Sequence, residues 1–128
     1  MLYAFLCYNN EDATFSWTQE EDDAVMAKLH AVQQPLAQQG RLGPTARLMP
    51  TTVAATLRKD TDPPTVLDGP YAETKEQLLG FYVMDCDDLE HALAIARDLA
   101  KANPGGAYEI RPLRMFNPGS FAAGAFGK

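Results

Sequence analysis

Between residues 67 and 77 the chain reads LDGPYAETKEQ, which brings Asp68, Glu73, Lys75 and Glu76 close together. Carboxylates and an amine at that spacing have two chemical uses. They can pass a proton as an acid/base pair, or they can clamp a small polar ligand. A plainer reading uses the same residues: Asp68 ties a turn through its side chain, Gly69 permits positive φ, Pro70 fixes the exit, and Lys75 with the two glutamates is a solvated surface. The segment that follows, LLGFYVMD, is the most apolar run in the chain. The charged loop therefore feeds a buried strand and lies near any cleft beside it. On this argument Asp68 and Glu73 are the candidate proton carriers, and Lys75 is a candidate ligand clamp.

Arg111 stands two residues after Glu109 in YEIRPL, on the same face of a strand. Facing inward it would bind a carboxylate; facing outward it would be an edge charge that discourages aggregation. Tyr8 and Tyr82 lie on strands whose second face would point into a barrel, where a phenol either hydrogen-bonds a ligand or is plain core. His30 and His91 fall on helices with no metal-ligand partner at useful spacing, so no metal is expected. Cys86 precedes a helix N-terminus but has no base or oxyanion motif beside it, which favours a buried structural thiol. With no C-x-x-C pair, Cys7 and Cys86 read as reduced thiols of a cytosolic protein. Glycine-rich phosphate loops and G-x-S-x-G are absent, so no nucleotide cofactor or serine-hydrolase chemistry is expected.

These residues must be positioned by elements that the hydrophobic pattern outlines. LYAFLCY (2–8) is apolar on both alternating faces, as a strand covered on both sides would be. In TQEEDDAVMAKLHAVQQPLAQQG, Thr18 and Glu21 form a capping box. Val25, Leu29, Val32 and Leu36 make the buried stripe of that helix, Pro35 disturbs its last turn, and Gly40 stops it. TARLM and TVAATLRK read as strands, the second with one polar face, and TVL as a short strand stub. After the apolar run, Asp87 is the expected cap of a second helix with Leu89, Ala92, Leu93, Ala96 and Leu99 buried. AYEIRPLRMF closes the domain as an edge strand, because Pro112 cannot sit in a sheet interior. NPGSFAAGAFGK, residues 117–128, is expected to be a loosely ordered tail after a domain of residues 1–116.

The order β-α-β-β-(β)-α-β implies an α+β fold, a ferredoxin-like antiparallel sheet with two helices on one face. The two doubly apolar strands would be central. The sheet face without helices then needs a cover, and a second copy of the chain is the simplest one, giving a homodimeric α+β barrel. The 128 residues suit one domain, no apolar run approaches the roughly 20 residues of a membrane helix, and the N-terminus has no basic segment typical of a leader. The formal net charge of −6 argues against nucleic acid as a partner.

Asp68-Gly69-Pro70-Tyr71-Ala72-Glu73-Thr74-Lys75-Glu76 resembles the DGPFAETKE signature of the YciI-related, DGPF-domain family, with Tyr71 in place of Phe. GFYVMDCDDLEHALAIA, YEIRPL, TTVAATLR and the opening strand are similar too, so the resemblance covers residues 1 to about 115. It implies a dimeric α+β barrel, a fold also used by isomerases, lyases and haem enzymes, and it implies little about activity. Some members of the broader family carry a histidine–carboxylate pair early in the chain; no histidine stands there in this sequence. The functional expectation is a cytosolic homodimer that binds a small anionic ligand in a cleft lined by the 68–76 loop. A cofactor-free isomerase- or lyase-like proton transfer by Asp68 or Glu73 would use Lys75 or Arg111 to hold the anion. The alternative is a non-catalytic ligand-binding or regulatory module acting through a protein partner. Haem binding would require a pocket histidine.

Overall fold

The computed structural model describes residues 1–121. The first strand, β1 (Leu2–Asn9), is followed by a short helix α1 (Glu11–Phe15) and a long helix α2 (Gln19–Gln38). Next come β2 (Leu42–Arg47), a 3-10 turn at Thr51–Val53, and the strands β3 (Ala55–Arg58) and β4 (Thr65–Asp68). The chain ends with β5 (Gln77–Asp85), α3 (Leu89–Ala102) and β6 (Ala107–Pro112). The main sheet is antiparallel with the order β2-β5-β1-β6, which is compatible with a ferredoxin-like fold. The doubly apolar strands β1 and β5 are central, as their composition requires, and Pro112 lies on the edge strand β6.

Register divides the sheet into two faces. Tyr3 pairs with Met84, and Phe5 with Tyr82 and Ile110. These residues join Leu29 and Leu36 of α2 and Ala92, Ile95, Ala96 and Leu99 of α3 in one core. By strand alternation Leu2, Ala4, Leu6, Phe81 and Val83 lie on the opposite face.

Capping explains the helix limits. Thr18 accepts from the Glu21 N–H at 3.1 Å, and the Glu21 carboxylate accepts from the Thr18 N–H at 3.0 Å. Pro35 stays inside α2 near its end, where it forfeits one backbone bond and the helix runs on to Gln38. Gly40, at φ 71°, then completes a Schellman turn: its N–H donates to Ala37 and that of Arg41 to Leu36.

Three details depart from the pattern reading. The cap of α3 is Asp88, which accepts from the His91 N–H at 2.8 Å; Asp87 pairs with Arg41 at 3.1 Å instead. The helix thus starts one position later, Leu89 is left exposed, and Ile95 takes a place in the core. The segment 52–59 does not extend the main sheet either. Its first two residues end a 3-10 turn, and β3 pairs with β4 in a separate hairpin, where Leu57 and Val66 remain exposed. Finally, α1 has no apolar stripe to betray it; it is held by its Asn10 cap, which accepts from the Ala13 N–H at 2.9 Å. Of the tail expected at 117–128, residues 122–128 lie outside the described residues.

Candidate functional site

Two adjacent rows across the helix-facing side of the sheet form the floor of a cleft. One row runs Thr45, Tyr82, Phe5, Ile110; the next runs Arg47, Gly80, Cys7, Tyr108. In the second row Gly80 contributes no side chain, and a Cβ there would overlap the carbonyl oxygen of Ala46. The missing side chain lets the β2 backbone at Ala46 and Arg47 lie close against β5, and a space opens above the two rows. Met26, Leu29 and Gln33 of α2 roof that space, and Phe15 and Trp17 close one end, around a volume of about 870 Å³.

Cys7, Tyr82 and Tyr108 are the polar, uncharged part of the floor. Gln33 Nε2 donates to the Tyr82 hydroxyl at 3.4 Å. Burial pushes the Cys7 thiol up to about 12, and its Sγ donates to the Phe5 carbonyl at 3.6 Å. Burial also raises Tyr82 and Tyr108, with Cys7 close to both adding to the effect. All three groups therefore stay protonated at neutral pH: they donate hydrogen bonds and do not serve as thiolate or phenolate bases. Charge enters from the wall. Arg47 reaches from β2 to the first turn of α2, where Nη2 and Nη1 meet the two Asp22 carboxylate oxygens at 2.8 and 3.4 Å. Among the described lining residues Arg47 is the one cation, and none is a carboxylate.

The six residues singled out from sequence separate here. Tyr8 and Tyr82 line the cleft, though Tyr82 faces the helices and not the opposite sheet face. Asp68, Glu73 and Lys75 are exposed and lie outside its lining. The Asp68 carboxylate braces no turn: among the described residues it has no hydrogen bond, and the turn is held by the Gly69 N–H on Ala54 and by Thr56 Oγ1 on the Gly69 carbonyl. Gly69 does adopt the positive φ expected of it, 114°. Tyr71 is exposed beneath the Arg58 guanidinium, 5.6 Å from its ring centre. The end of the loop touches the start of α1, whose Thr14 and Phe15 line the cleft: the Lys75 carbonyl accepts from Asn10 Nδ2 at 3.3 Å and Gln77 Oε1 accepts from the Glu11 N–H at 2.9 Å. Arg111 lies on the sheet face without helices, 3.5 Å from the Glu109 carboxylate.

Other groups resolve simply. His30 is exposed, and His91 Nδ1 accepts from the Asp87 N–H at 3.0 Å. Cys86 is fully buried and its thiol is raised by burial, as a structural thiol would be. Among the described residues no cluster of three His, Cys, Asp or Glu could hold a metal ion, and no helix is long and apolar enough to cross a membrane.

The family model of the YCII-related domain matches residues 1–117. The chain belongs to that family. An uncharacterized protein of Rhizobium meliloti (strain 1021) is 58% identical to it over 120 residues, covering 93% of this chain and 97% of that protein. In this YCII-related chain the DGPY segment and the cleft lie in different places. Arg47, Gln33 and Tyr108 were not singled out from sequence. Each is an ordinary residue in its own element, and what distinguishes them is alignment across β2, α2 and β6, which single-residue spacing does not reveal.

Proposed function

We propose that this YCII-related protein is a small-molecule-binding homodimer of the cytosol, with a ligand held between the sheet and α2 in each protomer. The observation that carries the reading is the half-open cleft with uncharged donors on its floor, Tyr82, Tyr108 and Cys7, and apolar side chains above them. Sites of this shape fix a ligand's orientation with few polar groups and hold it by apolar burial. The homodimer is supported by the other sheet face, where Ala46, Phe81 and Leu6 form an apolar row beside Val83 and Ala4. A thermal-shift screen of small organic compounds tests the binding. A hit should lose about tenfold in affinity in Tyr82→Phe or Tyr108→Phe, the cost of one or two hydrogen bonds. Hits that bind all three proteins alike would refute the site. Sedimentation at micromolar concentration tests the dimer, and a monomer there would refute it.

A second reading has one observation behind it. The contacts of Lys75 and Gln77 with Asn10 and Glu11 hold the charged loop against the start of α1, the helix that closes one end of the cleft. Proton transfer by Asp68 or Glu73, with Lys75 or Arg111 holding an anion, would be isomerase- or lyase-like chemistry at that edge. The lack of a carboxylate among the described lining residues favours binding over this catalysis. Turnover that disappears in Glu73→Gln or Asp68→Asn would reverse the preference.

A further inference from the structure

We propose that the cleft takes an amphipathic anion, an apolar or aromatic body bearing one carboxylate- or sulfonate-type group, and that the Arg47–Asp22 pair is an exchangeable clasp whose guanidinium receives the anionic end. The inference deepens the reading of the cleft as the ligand site and rests on it. Three observations converge. First, Arg47 is the one cation among the described lining residues, on a chain of net charge −6. An anion approaching this protein meets general repulsion, so its binding needs a local positive group such as this one. Second, Arg47 already grips a carboxylate with both terminal nitrogens, at 2.8 and 3.4 Å. Its fork is thereby aimed for planar oxyanions, which a lysine would meet only as a point charge. The two side chains are 58% and 25% exposed, and an ion pair in such contact with water is weak enough for an incoming carboxylate to take over. Third, the remaining chemistry grades from apolar to neutral. Phe15 and Met49 are exposed large apolar groups on the lining, with Trp17 half-buried beside them. The inner wall of protonated Tyr82, Tyr108 and Cys7 solvates a neutral polar group and disfavours a second negative charge. The ligand therefore carries its charge at one end, and that end lies against Arg47.

Two fluorescent probes with the same ring system test this on the full chain: 8-anilino-1-naphthalenesulfonate, and its neutral counterpart N-phenyl-1-naphthylamine. Thr45→Trp places an indole on the cleft floor from an exposed strand position and reports where the probes sit. Both probes should bind the parent protein and be weakened by Thr45→Trp. Arg47→Gln should weaken the sulfonate about tenfold, as losing charged hydrogen bonds does, and leave the neutral probe within about twofold. Asp22→Asn should tighten the sulfonate about threefold by removing the internal competitor. If Arg47→Gln does not fold, the Asp22→Asn titration decides by itself: tightening supports the clasp, and unchanged or weaker sulfonate binding overturns it. Cleft binding of both probes with no response to Arg47→Gln overturns the anion anchor and leaves the binding reading intact. Probe binding that ignores Thr45→Trp overturns the cleft itself as the ligand site.

Discussion

Tyr82 and Glu73 belong to neighbouring parts of the chain and to opposite environments. Tyr82 is 9% exposed, hydrogen-bonded by Gln33 and shifted by burial, while Tyr71, Glu73 and Lys75 stand in water, Tyr71 at 78% exposure. The loop has the higher density of ionisable groups, and the cleft has the perturbed ones. Charges screened by solvent interact weakly, whereas a hydroxyl or thiol in a low-dielectric floor has its proton held firmly and its hydrogen bonds strengthened. Density of ionisable residues in sequence is therefore a poor guide to where the fold buries and perturbs them. The DGPY segment has a conformational part: Gly69 turns the chain out of β4 with φ 114°, and Tyr71 lies under Arg58.

The two glycines separate the regions most strongly. Gly80→Ala should destabilise by about 3 kcal/mol or more, at the upper end for overpacking, because the obstacle is the Ala46 backbone within the sheet. Gly69→Ala meets no atom within 4 Å and should cost about 1–2 kcal/mol, from left-handed backbone strain alone. Urea unfolding measures both, and equal costs would show that the close approach of β2 does not constrain Gly80.

Alkaline pH gives the next effect. The Cys7 thiol titrates near 9 when unfolded and near 12 when folded, and Tyr82 and Tyr108 shift in the same direction. Between those values the unfolded chain binds fewer protons than the native one, so stability is fully present below about pH 9 and falls as pH rises toward 12. Melting temperatures from pH 8 to 11 should show the decline. Cys7→Val should flatten it, and Glu73→Gln should leave its slope unaltered.

A smaller loss is expected for Tyr82→Phe without ligand, about 1 kcal/mol for its bond from Gln33. The smallest effects belong to the loop. Asp68→Ala, Glu73→Gln and Lys75→Met should each change unfolding free energy by less than about 0.5 kcal/mol, as exposed side chains without hydrogen bonds of their own do. A loss of 1 kcal/mol or more in Asp68→Ala would restore its carboxylate as a structural brace.

Much of the architecture was open to inspection in the sequence. The Thr18–Glu21 box, the Val25–Leu36 stripe and Gly40 delimit α2 within a residue or two, and the doubly apolar runs identify β1 and β5 as central strands. Errors arose where two local signals competed. Asp87 and Asp88 are both good caps, and the carboxylate that reaches the His91 N–H is the second. TVAATLRK alternates like a half-buried strand, yet β3 finds only β4 as a neighbour, and within one chain its apolar positions stay uncovered.

Helix caps, hydrophobic periodicity and the family motif are encoded by residues a few positions apart, so the linear chain already specified an α+β fold, its central strands and its family. The cleft obeys a different rule. Asp22 and Gln33 come from α2, Arg47 from β2, Gly80 and Tyr82 from β5, and Tyr108 from β6, and they meet because strand register places Arg47, Gly80, Cys7 and Tyr108 in one row beneath α2. Register depends on how whole strands pair, so the row that joins Arg47 to uncharged Cys7 and Tyr108 and the solvent exposure of the charged loop were set when those strands and α2 packed together.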